Sequence, residues 1–234
     1  MDAIPGVVHA FSTRRVESSD VSLGGDGPRI QDNRDRFMAA VGLEAWPIAR
    51  LRQVHSNIVH WVGDNEFVND IAEGDAAGTS LPGLALGVMT ADCVPILIAD
   101  GKAQAIAVAH AGWRGTSEGV VRKTVDAMVS GKGIEPSDLS AAIGPHIGVC
   151  CMEVGEEVFD WFAQPEVFER RPEWSRPHLN LAEANRLQLV AAGLGPERVQ
   201  VSTLCTRCRS DMFHSYRRDG DDAGRMLSVI GIEP

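Results

Sequence analysis

The densest apolar runs lie in the middle of the chain and predict strands that are buried on both faces of a sheet. These runs are of strand length and rich in aliphatic side chains, and they cover residues 84–90, 94–99 and 105–109. Shorter apolar segments, bounded by polar and turn-forming residues, predict further strands at residues 7–11, 54–62, 139–143, 199–203 and 226–232.

Apolar residues spaced three and four apart predict four helices. The clearest covers residues 116–129, where Val121, Val125 and Met128 share one face and glycines follow. Asp32 is placed to cap a second helix over residues 32–41. Residues 153–162 and 181–192 predict two more, and residues 164–178, rich in Pro, Trp and Arg, are interpreted as a surface excursion.

Strands outnumber helices and occur in consecutive groups, which indicates an α+β or layered α/β fold rather than strict alternation. No repeat or linker divides the chain, so residues 1–234 are predicted to form a single domain. The apolar runs are far shorter than the roughly 20 residues of a membrane span. The start of the chain lacks the features of a secretory signal, and a cytoplasmic protein without membrane association is expected.

The formal net charge of −10 argues against a nucleic-acid partner, since phosphate neutralisation needs clustered Lys and Arg. Pairs of basic residues, among them Arg14 with Arg15 and Arg217 with Arg218, could still meet a small anion, although any one pair alone is more typical of a solvated loop end. Five cysteines make an odd count, and with no export signal they are expected to be thiols, ligands or nucleophiles rather than a disulfide framework.

Three short motifs each place a metal-capable side chain beside an apolar strand, and they contain His55, Cys93 and His110. Two imidazoles and one thiolate form a three-ligand set suited to zinc, with a fourth position open for catalysis. Cys93 could instead be a small core residue, because free cysteines are commonly buried. Asp92, next to Cys93, could orient a ligand or shuttle a proton, or hold a turn.

The motif that follows His110 predicts an anion-binding turn. Gly112 and Gly115 precede a helix expected to open at Thr116, whose free N–H groups suit an anion, and Arg114 lies in the turn. The alternative is a tight turn with a surface arginine.

The other four cysteines occur as Cys150-Cys151 and as the Cys205/Cys208 pair with a two-residue gap. Together they could form a four-thiolate zinc site. Adjacent side chains diverge along an extended chain, however, so buried or substrate-proximal thiols are the preferred interpretation.

Ordered motifs along nearly the whole chain resemble the YfiH-like family, also called the laccase-like or multicopper polyphenol oxidase domain and related to human laccase-domain-containing protein. The matching stretches are FSTR at residues 11–14, DNR at 32–34, QVHS at 53–56, GDA at 74–76, TADCVP at 90–95, HAGWRG at 110–115, IGP at 143–145, CMEV at 151–154, SYRRDG at 215–220 and GR at 224–225. The resemblance implies a layered mixed-sheet α/β sandwich flanked by helices, like the cytotoxic necrotizing factor cysteine hydrolase fold. It also implies that His55, Cys93 and His110 bind zinc.

The same resemblance implies phosphorolysis of adenosine, inosine, guanosine or methylthioadenosine to the base and ribose 1-phosphate, with adenosine deamination in the same pocket. The partners would be a purine nucleoside and phosphate, for a monomer or small homo-oligomer. Arg114, Arg14 and Arg217 are the candidates for binding phosphate, and Asp92 joins the three ligands as a candidate catalytic residue. Met152 stands where the family commonly has an aromatic residue, and His214 where it has an aromatic or small one.

Three alternatives stay open. A copper-dependent polyphenol oxidase matches the older family label, although seven histidines without a His-X-His pair are few for a multicopper site. Cys93 could be the nucleophile of a cysteine hydrolase with His110 or His55 as its base. A non-enzymatic metal-binding protein would bind zinc tightly without turnover.

Overall fold

Two mixed β-sheets packed face to face form the centre of the molecule. The computed structural model describes residues 4–16, 19–63 and 72–234. Residues 1–3, at the start of the chain where the sequence predicts no secretory signal, lie outside the described residues. The strands in the described part are β1 (Val7–Phe11), β2 (Arg15–Val16), β3 (Ser19–Asp20), β4 (Ile48–Ala49), β5 (Val59–Val62), β6 (Ala76–Thr79), β7 (Ala85–Thr90), β8 (Val94–Asp100), β9 (Ile106–Ala111), β10 (Leu139–Ile143), β11 (Phe168–Glu169), β12 (His178–Leu179), β13 (Val199–Val201) and β14 (Met226–Ile232).

The larger sheet has the strand order β13-β10-β8-β9-β6-β5 and the smaller one β1-β14-β7-β4. The pairs β10–β8, β8–β9 and β9–β6 are antiparallel, whereas the two outer pairs of the larger sheet are parallel. In the smaller sheet, β1–β14 and β14–β7 are antiparallel and β7–β4 is parallel. The mixed sheets confirm the predicted layered architecture.

Helices cover the outer faces of both sheets. The α-helices in the described part of the chain are α1 (Pro28–Ala40), α2 (Trp113–Ser117), α3 (Val120–Lys132), α4 (Leu181–Ala191) and α5 (Tyr216–Asp219). Helices α3 and α4 pack on the larger sheet, and α1 packs on the smaller one. None of the helices in the described ranges is long and apolar enough to cross a membrane.

Strand β8 shows how the sequence specifies this layering. Ile96 and Ile98 belong to the core beneath α3 and α4, while Leu97 belongs to the core between the two sheets. All three side chains are fully buried. Because successive side chains of a strand point to opposite faces, a continuous apolar run fits a sheet that is covered on both sides.

Several predicted boundaries were wrong. Helix α1 begins at Pro28 rather than at Asp32, and its N-cap is Gly27, because proline fits the first helical turn. The expected helix over residues 116–129 is two helices, α2 and α3, separated at Gly119, whose φ is 78°. Of the predicted strand at residues 54–62 only Val59–Val62 is a strand, and the predicted helix at residues 153–162 is a 3₁₀ helix over Glu156–Trp161.

The interpretation of residues 164–178 as a surface excursion holds only in part. The segment contains Val167 and His178, and both side chains are buried. Strands β11 and β12 pair with each other there, and the segment packs beside the start of α4. The aromatic and proline residues therefore make a small packed unit rather than a loop that is exposed throughout.

Candidate active site and metal centre

The donor atoms of His55, Cys93 and His110 converge at one edge of the larger sheet and lie within 4.8 Å of one another. Cys93 ends the turn between β7 and β8, and His110 lies in β9, whose register sets Pro95 opposite it. His55 comes from the loop before β5, with its Nε2 3.8 Å from the Cys93 Sγ. The structure thus brings together three residues that are far apart along the chain.

The carboxylate of Asp75, just before β6, holds both histidines in place. It accepts a hydrogen bond from His110 Nδ1 at 2.8 Å and others from the backbone N–H groups of His55 and Ser56 at 3.0 and 2.6 Å. With Nδ1 bonded to the carboxylate, His110 directs its Nε2 towards the other donors. Asp75 is absent from the predicted site residues, although the GDA stretch at residues 74–76 was available as a signal.

Asp92, predicted as catalytic, supports the turn that carries Cys93. Its carboxylate oxygens accept hydrogen bonds from the Thr206 hydroxyl at 2.6 Å, the Ser215 hydroxyl at 3.0 Å and the Arg217 backbone N–H at 2.6 Å. The φ of Asp92 is 90° and that of His55 is 61°, values that cost non-glycine residues about 1–3 kcal/mol each. Hydrogen bonds to Asp92 and Asp75 offset this strain at the site.

The electrostatics of the triad favour a thiolate. Burial by itself raises the pKa of the Cys93 thiol, but the charge and hydrogen bonds of His110 and His55 outweigh burial and bring the pKa to about 6. Burial likewise lowers the pKa of His110, yet Cys93 and Asp75 together raise the pKa to about 9. At neutral pH the protein without metal therefore holds a thiolate next to an imidazolium.

Gly112 and Gly115 allow the His55 loop to approach helix α2. A Cβ on Gly112 would lie 2.7 Å from the His55 Cδ2 and 3.2 Å from the Cys93 Sγ, and one on Gly115 would lie 2.7 Å from the Ser56 carbonyl oxygen. The sequence pattern predicted that the glycines serve an anion-binding turn and that a helix opens at Thr116. The helix begins at Trp113, and the close approach is to protein atoms.

The three donors open onto a cavity of about 510 Å³, within the roughly 300–1,000 Å³ typical of small-molecule sites. Of the predicted phosphate-binding residues, Arg114 and Arg217 line this cavity. The described residues that line it do not include Arg14, whose guanidinium pairs with Asp20 and donates to the Ser210 carbonyl at 2.9 Å. The geometry thus separates Arg14 from the other two arginines.

Arg225 and Tyr216 also line the cavity, and neither is among the site residues predicted from the sequence. Arg225 lies 5.9 Å from the Tyr216 ring centroid, and Tyr216 is 52% exposed. With Arg114 and Arg217 they give the cavity three guanidinium groups and an accessible aromatic face. Met152 lines the cavity too, whereas His214 is buried and bonds the Val21 carbonyl at 2.9 Å.

The donor set fits a transition-metal ion. Two imidazole nitrogens and a thiolate are ligands that zinc accepts, and tetrahedral zinc places such donors about 3.5 Å apart. The observed separations of up to 4.8 Å would close by small side-chain movements. The carboxylate on His110 is the usual outer partner of a metal-binding histidine. Within the described part of the chain, these three residues supply what one metal ion with an open position requires.

Sequence comparison gives a family whose relatives are named for more than one activity. Residues 9–233 match the family described as "Multi-copper polyphenol oxidoreductase laccase". A purine nucleoside phosphorylase of Deinococcus radiodurans is 41% identical over 97% of this chain and 89% of its own length. Adenosine deaminase RL5, from an unknown prokaryotic organism, is 36% identical over 95% of this chain and 93% of its own length.

Comparison with solved structures agrees with the family found by sequence comparison. The crystal structure of YlmD from Geobacillus stearothermophilus superposes with a TM-score of 0.89 and 32% identity, and the match covers all of this chain (100%) and 94% of the other. The family match, the relatives and this fold confirm the resemblance that the ordered motifs carry, and the chain belongs to the multicopper polyphenol oxidoreductase (laccase-like, YfiH-like) family.

Proposed function

We propose that this protein is a zinc-dependent purine nucleoside phosphorylase that also deaminates adenosine. The observation that carries the proposal is the cavity itself, where His55, Cys93 and His110 face the same space as three arginines. The names of relatives at 36% and 41% identity support both activities. The proposal includes a single cytoplasmic domain related to the cysteine hydrolase fold, and the substrates adenosine, inosine, guanosine and methylthioadenosine.

The arginines supply the first requirement of phosphorolysis, which is a bound phosphate. In the reaction a phosphate oxygen forms a bond to the ribose anomeric carbon, the glycosidic bond breaks, and the purine leaves with the bonding pair and takes up a proton. Arg114 and Arg217 line the cavity with Arg225. A guanidinium group can donate two parallel hydrogen bonds to two oxygens of one phosphate. The three arginines offset a protein net charge of −10 locally, so the anion enters a cationic pocket.

Other residues of the site supply a surface for the purine and the ligands for the metal ion. Tyr216 offers an accessible ring on which a purine can stack. Asp75 fixes the tautomer of His110, and His55 and Cys93 complete the ligand set. A zinc ion held by these three residues would supply a Lewis acid for the chemistry at the nucleoside.

The test is product analysis with zinc-loaded protein and adenosine, with and without phosphate. Adenine that forms only with phosphate demonstrates phosphorolysis, and inosine demonstrates deamination. Cys93→Ala should abolish both activities. Arg114→Gln should raise the KM for phosphate by about tenfold or more, since a charged hydrogen bond contributes about 1.5–3 kcal/mol. Arg122→Gln is the matched control, because Arg122 is an exposed residue of α3 and pairs only weakly with Asp126.

The competing functions give different results in the same assay. Copper-dependent oxidation of a phenol with no nucleoside turnover would favour the oxidase that the family description names. Thioester or amide hydrolysis by metal-free protein, lost on alkylation of Cys93, would favour the cysteine hydrolase. Stoichiometric zinc with no turnover of any of these substrates would leave the metal-binding protein and contradict the proposal.

A further inference from the structure

A second group of potential metal ligands lies outside the cavity described above. The sulfur atoms of Cys150, Cys151, Cys205 and Cys208 all lie within 4.8 Å of one another. Among the described residues that line the cavity there is none of these four. All four are free cysteines. We call these four residues the cysteine cluster.

Two tight turns bring the sulfurs together and correct the expectation that the adjacent pair would diverge. The chain turns at residues 149–151, where the N–H groups of Cys151 and Met152 both donate to the Gly148 carbonyl at 2.9 and 3.1 Å. Because this segment is not extended, the side chains of Cys150 and Cys151 point to one place. A Cβ on Gly148 would lie 3.2 Å from the Cys205 Cβ, so glycine permits the approach.

The second turn contains Cys205 and Cys208. The Arg209 N–H donates to the Cys205 carbonyl at 3.0 Å, which closes the turn around the two-residue gap. The Thr206 N–H donates to the His146 carbonyl at 2.9 Å and ties this turn to the segment before Cys150. A Cys-X-X-Cys turn of this kind is typical of structural zinc sites.

The separations of two sulfur pairs are close to those of a tetrahedral metal site, and no sulfur pair in the cluster is more than 4.8 Å apart. Zinc–sulfur bonds of 2.3 Å place the sulfurs of a four-thiolate site about 3.8 Å apart. The Cys150 and Cys208 sulfurs are 3.8 Å apart, and those of Cys151 and Cys208 are 3.4 Å apart. We propose that the cysteine cluster binds a second zinc ion with a structural role, distinct from the ion of the catalytic cavity.

Neighbouring groups suit the negative charge of such a site. The Gly148 N–H donates to the Cys205 Sγ at 3.2 Å, and the Arg207 guanidinium donates to the Cys151 Sγ at 3.5 Å. Four thiolates around a divalent ion carry a net charge of −2, and donors of this kind stabilise thiolate ligands. Four protein ligands leave no open position, which is the character of a structural rather than a catalytic zinc site.

The cluster lies directly behind one wall of the cavity. Met152, which follows Cys151, lines the cavity, and the Arg217 guanidinium donates to the carbonyls of Cys151 and Glu153 at 3.3 and 3.0 Å. Thr206, between the two cysteines of the second turn, donates to Asp92. A metal ion that joins the two turns would therefore hold the Cys93 turn and Arg217 in position.

Metal content tests the proposal independently of any enzymatic activity. Reduced protein loaded with zinc and freed of excess metal should contain two zinc ions per chain, and the Cys93→Ala variant should keep one. Adding Cys205→Ser to that variant should remove the remaining ion. If Cys205→Ser does not fold, Cys150→Ser serves instead, because Cys150 is exposed, and this replacement should likewise remove the remaining ion.

Cobalt in place of zinc reports the ligands directly. The Cys93→Ala protein should show the intense sulfur-to-cobalt charge transfer of a four-thiolate tetrahedral site, and Cys150→Ser should weaken it. A Cys93→Ala protein that binds no zinc, with all four thiols reacting freely with a thiol reagent, would overturn the proposal. Disulfides among the four cysteines in protein isolated under anaerobic, thiol-blocking conditions would overturn it as well.

Discussion

At the scale of single residues, the site depends on the carboxylate of Asp75, which positions the histidines without being one of the three donors. Asp75 is fully buried and accepts hydrogen bonds from His110, from the His55 and Ser56 backbone and from the Ser56 hydroxyl. Burial opposes the charge of Asp75, but His110 and Ser56 outweigh it and lower the pKa of Asp75 to about 2. The carboxylate thus stays charged wherever the protein is folded near neutral pH.

Replacing Asp75 should therefore weaken metal binding, and it should also lower the stability of the fold, because hydrogen bonds to the buried carboxylate offset backbone strain at the site. Asp75→Asn keeps the shape but removes the charge that orients His110, and we expect zinc affinity to fall about 10–100-fold. Competition with a chromogenic chelator measures the affinity, and thermal unfolding of the metal-free protein measures the fold. Asp126→Asn, an exposed change on α3, is the matched control. Unchanged zinc affinity in Asp75→Asn would contradict this role.

The reactivity of Cys93 in metal-free protein should show a depressed pKa. An ordinary cysteine has a pKa of about 9, whereas the neighbouring histidines lower the pKa of Cys93 to about 6. The fraction of Cys93 present as thiolate should rise with pH, with a midpoint at about pH 6, and then level off. The rate of alkylation should follow it, because the thiolate is the nucleophile. Peptide-resolved mass spectrometry after iodoacetamide pulses measures the rate, and His110→Gln should move the midpoint to higher pH. A midpoint near 9 in the unaltered protein would refute the pairing.

At the scale of secondary-structure elements, the site is an arrangement of strand ends. The end of β9 carries His110, the start of β6 follows Asp75, and the start of β8 follows Cys93. The antiparallel pairing of β9 with both β6 and β8 brings these ends together. Helix α2 closes the edge, and its first turn lies against the His55 loop only because Gly112 has no side chain.

A methyl group at Gly112 should damage the metal site without unfolding the protein. Gly112→Ala would place its Cβ 2.7 Å from the His55 ring, so we expect His55 to move and turnover to fall at least tenfold. Gly131→Ala is the matched control on α3, where a Cβ meets nothing within 4 Å. That control should stabilise the helix by about 0.5–1 kcal/mol and leave turnover unchanged. Zinc titration and urea unfolding separate the two effects.

At the scale of the whole molecule, stability comes from side chains shared between layers. Leu97, Ile106 and Ile230 are fully buried in the core between the two sheets. The outer faces are covered by α1 on one side and by α3 and α4 on the other. Strand β8 contributes side chains to the cores on both of its faces and so joins the layers.

Loss of packing between the sheets should be costly. Leu97→Ala should lower the free energy of unfolding by about 2–5 kcal/mol, because the rigid sheets around it cannot close the cavity. Val201→Ala, at a side chain that is 37% exposed, should change it by no more than about 0.5 kcal/mol. Urea denaturation monitored by tryptophan fluorescence measures both. Equal costs would show that the layers are not closely packed at Leu97.

The sequence by itself determined the properties that follow from local pattern and residue chemistry. The continuous apolar runs at β7, β8 and β9 predicted strands covered on both faces, because only such positions exclude polar residues. Motifs around His55, Cys93 and His110 predicted three residues that the structure brings together, and the ordered motifs along the chain predicted the family, which the comparisons confirm. The start of α1 and the break between α2 and α3 were predicted wrongly. Apolar spacing does not reveal that Pro28 opens α1, or that Gly119 separates α2 from α3.

Only the tertiary structure decided which distant groups meet. Asp75 lies 35 residues before His110, and their hydrogen bond depends on the register of β6 against β9. The same is true of the cysteine cluster, which needs two turns on separate segments, and of Arg14, which pairs with Asp20 instead of facing the cavity. The physical reason is that strand pairing and turns bring distant residues together, and no local preference encodes those distances.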